Sequence, residues 1–216
     1  MKNEKQSKSL AWPTVQRLSE YLIILEQLLE GGKEIISSSE LAEIYSNTPS
    51  QVRQDIFRLP GAGRVGRGYN AKELASTIRK TLGLNNTANI IIVGCGRMGM
   101  ALARHLPFKE HGMELTGLFD KEPSIIGKNV EGITVKDISE LKDCPQANSW
   151  KIAALCVPAS AAQDVTDMLV EAGVKGILNF TRKRLKVSKG IWVQHEQIIC
   201  SLMQLNYKCS EDDSCL

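Results

Sequence analysis

The sequence predicts a mixed α/β protein in two parts, a small helical domain with a basic, glycine-rich hairpin and then a doubly wound parallel sheet. Three observations carry this. Apolar residues three and four apart recur through the first 85 residues, the spacing of short amphipathic helices. Four glycines fall between Gly61 and Gly68, too many for a stable helix and suited to a tight hairpin. From Asn89 onward, short apolar runs alternate with helical patterns, the rhythm of βαβ units.

In the first part, residues 12–30 read as a helix. Pro13 lies near its start, Val15, Leu18, Leu22, Leu25 and Leu29 form one face, and Gly31 and Gly32 end it. A short helix opens at Ser38 or Ser39, with Leu41, Ala42 and Ile44 on its buried side. Ser46-Asn47-Thr48-Pro49 is a turn that caps a further helix over 49–58, with Val52 and Ile56 facing inward. Residues 71–82 form another helix, capped by Asn70 and ended by Gly83. Asn85-Asn86-Thr87 marks a domain boundary.

In the second part, residues 89–93 read as a strand buried on both faces, followed by a helix over 97–106. Further strands are expected at 114–119, 152–157 and 176–179, with a helix over 160–172 between the last two. This divides the chain into a helical domain with its hairpin (1–85), a sheet domain (86–194), a C-terminal helix (195–207) and a loose polar tail (208–216).

Charge is unevenly placed. Residues 1–85 carry twelve Lys and Arg against nine Asp and Glu, while the remainder is balanced, so the excess that suits a polyanion lies in the first part. No stretch approaches the roughly 20 apolar residues of a membrane helix, and Met1 to Leu10 lacks the apolar run of a signal peptide, so a cytoplasmic location is expected. The six cysteines show no metal-type pairing and no metal site is expected; free thiols are the default.

Three short helices and a basic hairpin outline a winged helix-turn-helix, whose later helix enters the major groove. On the 49–58 helix, Arg53 and Arg58 can reach guanine edges or phosphates, and Gln51 and Gln54 adenine edges. Thr48 and Ser50 can bind phosphate at the helix start, and Arg64 and Arg67 on the hairpin suit backbone or minor-groove contact. The expected partner is double-stranded DNA.

Gly94-Cys95-Gly96-Arg97-Met98-Gly99 fits G-x-G-x-x-G, directly after a strand and opening a helix, the context of a Rossmann-type dinucleotide site. Gly94 permits the tight turn, Gly96 lets pyrophosphate approach, and Gly99 lets helix and strand pack. Asp120 ends the next strand, where an acid binds both hydroxyls of an adenine ribose and favours NADH and NAD+ over the 2′-phosphorylated forms. Arg97 and Lys121 stand beside it as cations that would favour a 2′-phosphate. Cys95 sits among helix-N-terminal amides that lower a thiol pKa, although the plainer reading is a small residue filling the x position.

Taken together, these stretches resemble the Rex family of redox-sensing transcriptional repressors over roughly residues 12–207. The matching strings include Pro13-Thr14-Val15-Gln16-Arg17-Leu18, Ser38-Ser39-Glu40-Leu41-Ala42, Val52-Arg53-Gln54-Asp55 and the Gly63 to Asn70 wing. Pro107-Phe108-Lys109, Val157-Pro158-Ala159, Ala161-Ala162-Gln163 and Gly176 to Phe180 continue the match. The resemblance implies a homodimer on an inverted-repeat operator, released by NADH, with NAD+ competing weakly. It implies a C-terminal domain-swapped helix, for which Ile198, Leu202 and Leu205, with Ile199, form the apolar face. It places Val157 and Pro158 at the cofactor.

Several positions depart from the family pattern. His105 stands where the family has an aromatic hydroxyl near the nicotinamide, and Gln197 where it has an aspartate that pairs with the arginine matched by Arg17. Arg17 and Gln197 are therefore the switch candidates, with Glu196 as a neighbouring carboxylate. Arg58 and Leu59 replace an aromatic pair, and Pro60 a glycine. Two alternatives remain: a Rex-like DNA-binding paralogue whose Rossmann domain serves dimerisation or another signal, and a small NAD-dependent oxidoreductase. The second is disfavoured because little chain is left for a substrate domain, so no enzyme activity is expected.

Overall fold

The computed structural model describes residues 10–61, 68–144 and 147–213. The chain forms two compact units, Met1–Asn86 and Thr87–Leu216.

The first unit holds α1 (Trp12–Glu30), β1 (Ile35–Ile36), α2 (Ser38–Ile44), α3 (Pro49–Phe57), β2 (Tyr69–Asn70) and α4 (Ala71–Thr81). Its core joins Leu18, Leu22 and Leu25 of α1 to Leu41, Val52, Ile56 and Ile78. The inner face of α1 also takes Thr14 and Tyr21, while Val15 and Leu29 are only half-buried, so the face is rotated from the expected one. The cap of α2 is Ser37 rather than Ser38 or Ser39. Its hydroxyl accepts from the Glu40 N–H at 3.1 Å while Glu40 accepts from the Ser37 N–H at 2.8 Å. That reciprocal pair needs three residues between cap and carboxylate, and Ser37 supplies the spacing. Ile44, expected inside, is 52% exposed.

Thr48 and Asn70 cap α3 and α4 through the Gln51 and Glu73 N–H groups, at 3.2 and 3.0 Å. Ser46, in the turn between α2 and α3, has a φ of 56°, a left-handed conformation that glycine or asparagine adopts more readily. β1 and β2 pair antiparallel. Of the expected wing, residues 62–67 lie outside the described residues.

The second unit holds β3 (Ala88–Val93), α5 (Arg97–His105), β4 (Met113–Asp120), β5 (Asn129–Val130), β6 (Ile133–Asp137), β7 (Trp150–Leu155), α6 (Ala162–Glu171), β8 (Gly176–Asn179), β9 (Trp192–His195) and α7 (Ile198–Asp213). The sheet order is β5-β6-β4-β3-β7-β8-β9, with every neighbouring pair parallel except β5 and β6. Leaving out β5, this is the Rossmann order, and strand order reverses between β3 and β7. Ile91, Val93, Phe119, Trp150 and Leu155 pack one face of the sheet with Val165 and Leu169 of α6. Ile92, Leu118 and Ala154 pack the other with Ala103 of α5. Among the described residues, no helix is long and apolar enough to cross a membrane.

Three strands, β5, β6 and β9, were not anticipated. β7 ends at Leu155, which leaves Val157 in the loop beyond it. His195 belongs to β9 rather than to the C-terminal helix, and α7 runs on to Asp213 where a loose tail was expected from 208. Its last turns are held by Tyr207 and Lys208, which donate to Glu211 at 2.7 and 2.9 Å.

Asn179, fully buried at the end of β8, ties β9 to the sheet. Its amide lies 2.8 Å from the His195 Nδ1 and donates to the Lys183 carbonyl at 2.9 Å, so Nδ1 accepts and the imidazole is neutral. Burial, and then the nearby Arg184, hold the His195 pKa below its ordinary 6.5. A folded pKa below the unfolded one gives stability that is full above the unfolded value and is lost as pH falls through the folded one. Denaturant midpoints should therefore drop below pH about 6.5, and His195→Gln should lose that part of the slope; equal pH profiles for the two proteins would contradict the assignment.

Candidate functional site

In the first unit, the residues expected to face DNA are organised by a carboxylate that the sequence reading did not single out. Asp55, on α3 between Val52 and Ile56, has no exposed side-chain surface. Arg17 of α1 grips it with two bonds, Nε to Oδ2 at 2.6 Å and Nη2 to Oδ1 at 2.8 Å. The Tyr21 hydroxyl donates to Oδ2 at 3.3 Å and the Gln51 amide to Oδ1 at 3.2 Å. Arg58 stands 3.8 Å from Oδ1 and donates to Thr14 Oγ1 at 2.8 Å. The hydrogen bond to Asp55 raises the Arg17 pKa, while burial, reinforced by Asp55, pushes Tyr21 up to about 12.

This network divides the candidate DNA readers. Ser50, Arg53 and Gln54 are exposed on α3, with Arg53 resting on Ser38 Oγ at 3.2 Å. The Gln51 amide is instead held by Asp55, and Arg58, still exposed, donates to Thr14 of α1 while standing near the same carboxylate. The Thr48 hydroxyl is occupied as the α3 cap. Arg64 and Arg67 lie outside the described residues. Phe57, 86% exposed at the end of α3, joins the exposed face and was not expected there. Asp55→Ala should destabilise this unit by about 3–5 kcal/mol, the range for stranding one partner of a buried ion pair; urea unfolding within about 1 kcal/mol of wild type would contradict the network.

In the second unit, the glycine loop lies at the carboxyl end of β3, where strand order reverses. Gly94 has a φ of +93°, and a Cβ there would come within 2.5 Å of the Cys156 carbonyl oxygen. A Cβ on Gly99 would strike the Gly94 carbonyl. A Cβ on Gly96 would meet nothing within 4 Å. Gly94 and Gly99 are thus required by close packing, while Gly96 leaves a bare surface facing solvent. Gly96 also begins α5 without any side-chain cap, so the first-turn amides remain available to an anion. Both features fit a pyrophosphate.

Asp120 reaches this loop directly. Its Oδ2 accepts from the Cys95 N–H at 2.5 Å, and its Oδ1 accepts from the Lys121 and Glu122 N–H groups at 2.7 and 2.9 Å. A carboxylate offers about four acceptor positions, so about one remains for a ribose hydroxyl while the loop stays anchored. Simultaneous acceptance from both hydroxyls would require releasing one of these bonds.

Arg97 and Met98 are exposed on the first turn of α5, and Lys121 is exposed beside Asp120. Val157, half-buried, follows β7 next to Gly94, and Pro158 after it is exposed. His105 stands at the other end of α5, about 12 Å of helix away, and does not join this group. Cys95 is buried with Sγ 3.5 Å from the Phe119 carbonyl, and burial, with Asp120 nearby, pushes its pKa up to about 12. That corrects the expectation of a lowered thiol pKa, because the side chain turns into the core, away from the helix amides. Burial pushes Cys156 up to about 12 as well. Cys209 is exposed, and Cys215 lies outside the described residues.

Residues 9–56 match the family model "Putative DNA-binding protein N-terminus" and residues 85–183 match "CoA binding domain". The redox-sensing transcriptional repressor Rex of Caldicellulosiruptor saccharolyticus is 42% identical over 95% of this chain and 94% of its own. The chain belongs to the Rex family of redox-sensing transcriptional repressors. Rex of Clostridioides difficile is 38% identical over 95% of this chain and 98% of its own. Among solved structures, the Rex-family repressor RSP in complex with β-NADH superposes with a TM-score of 0.86 at 35% identity, covering 95% of this chain and 97% of that one. RSP with β-NAD+ and operator DNA gives a TM-score of 0.86 at 36% identity, with 95% of both chains covered. The Rex fold is thus present in both units. Of the switch candidates, Arg17 is held by Asp55 within its own unit, and Gln197 accepts from Cys200 Sγ at 3.6 Å within the other.

Proposed function

We propose that this chain is a transcriptional repressor that binds an inverted-repeat operator as a homodimer and leaves it when NADH binds, with NAD+ competing weakly. The observation that carries this is the uncapped, open glycine turn at Gly96, fused to a helix-turn-helix with Ser50, Arg53 and Gln54 exposed. In this reading the pyrophosphate lies on the Gly94–Gly99 turn and the α5 amides, and Asp120 accepts from a ribose hydroxyl. The α3 helix enters the major groove. The apolar side chains of α7 support an exchanged C-terminal helix: Ile198, Ile199, Leu202, Met203, Leu205 and Tyr207 are each 53% or more exposed. Burying such a stripe against a second copy would remove an unfavourable apolar surface.

The protein acts here as a regulator in the cytoplasm, not as a catalyst. His105, the one acid–base candidate at the cofactor in the sequence, stands away from the glycine turn.

Fluorescence anisotropy on a Rex-type inverted repeat at fixed salt tests the reading. NADH should release the DNA at lower concentration than NAD+, and Arg53→Ala should weaken binding by about 1–3 kcal/mol, the value of a good base contact. DNA affinity indifferent to both nucleotides would favour a Rossmann unit that serves dimerisation or another signal. Turnover of an alcohol with NAD+ would favour a small oxidoreductase.

A further inference from the structure

The second unit is balanced in charge overall, but one segment of it is not. No Asp or Glu occurs between Glu171 and Glu196, while Lys175, Arg182, Lys183, Arg184, Lys186 and Lys189 do. The last five lie in the connection from β8 to β9, and all five are exposed. Among the described residues none of the five has an ion-pair partner.

This connection is held in shape. The Gln163 side chain accepts from the Lys186 N–H at 2.9 Å and donates to the Lys186 carbonyl at 2.8 Å. Asn179 accepts from the Thr181 N–H and donates to the Lys183 carbonyl, each at 2.9 Å. Leu185 and Ile191 pack on the core beside it. Because β8 and β9 are parallel, the segment must return from the carboxyl end of one to the amino end of the other. It therefore runs the height of the sheet on the face that packs α6, about 13 Å at about 3.3 Å per residue. At the amino ends of β8 and β9, where the loop finishes, stand Lys175 and Trp192, the latter 75% exposed.

A run of exposed, unpaired cations along a pinned backbone, followed by an exposed aromatic, suits an extended row of negative charges more than a single small anion. Duplex DNA presents such a row, one phosphate per about 3.4 Å of each strand. Little ordering entropy opposes the contact, since the loop is already fixed.

We propose that the 182–189 loop is a second DNA-contacting surface, binding the phosphate backbone outside the base pairs read by α3 without sequence preference. The proposal rests on the repressor reading above and extends it to flanking DNA.

The test uses the full chain, a duplex limited to the operator, and one extended on both sides. Arg182→Gln, Lys183→Gln and Lys186→Gln combined should lower the slope of log affinity against log salt on the long duplex by about 0.9 for each phosphate no longer neutralised. Affinity for the long duplex should fall by about tenfold or more, and affinity for the short one should hold. Arg182→Lys should behave as wild type, because charge is what matters. An unchanged slope and affinity on the long duplex overturn the proposal, as does loss of the dimer in ultracentrifugation, which would make the loop a subunit interface. Failure of the wild-type protein to prefer operator over random DNA rejects the repressor reading, and the salt slopes on random long duplex still decide the loop.

Discussion

A carboxylate without access to water sits at the centre of the N-terminal unit, and the way its charge is satisfied sets what α3 can offer on its exposed face. Leaving such a charge unpaired costs several kcal/mol. The fold answers with the bidentate Arg17, the Tyr21 hydroxyl and the Gln51 amide, joining α1 to α3. A helix of nine residues has little stability of its own. Fixing α3 from beneath is what allows Ser50, Arg53 and Gln54 to be presented in a defined order. The same network holds the Gln51 amide and ties the still exposed Arg58 to Thr14.

A comparable economy governs the nucleotide turn. Gly94 and Gly99 are small because backbone presses on them, and Gly96 is small with open space above it. Asp120 fastens this turn through the Cys95 N–H while keeping about one acceptor position for a ligand. In the function proposed above, cofactor binding and loop geometry share one side chain, so a ribose hydroxyl that draws on Asp120 acts on the turn as well. Cys95, buried and with its pKa raised, fills space beneath the turn.

What was legible in the sequence was mostly local. Thr48-Pro49, Asn70 and the glycine motif announce caps and a tight glycine turn within a few residues, and the structure has them where they were read. What escaped depends on partners far along the chain. Asp55 looks like one more polar residue on a helix until Arg17, 38 residues earlier, is folded against it. The β6 and β9 strands are short and mix polar with apolar residues, which suits positions near a sheet edge and gives little signal by pattern. Asp120 stood out by its position at the end of β4, but its hold on the Cys95 N–H follows from register between β3 and β4.

The central claim is that nucleotide and operator act on each other through this one chain. Linkage requires that if NADH weakens DNA binding, DNA weakens NADH binding by the same factor. Calorimetric titration of NADH into the free protein, and into protein saturated with operator duplex, measures that directly. The account predicts a weaker NADH affinity on the DNA-bound protein, by the same ratio with which NADH lowers DNA affinity. Equal NADH affinities in the two states would contradict it.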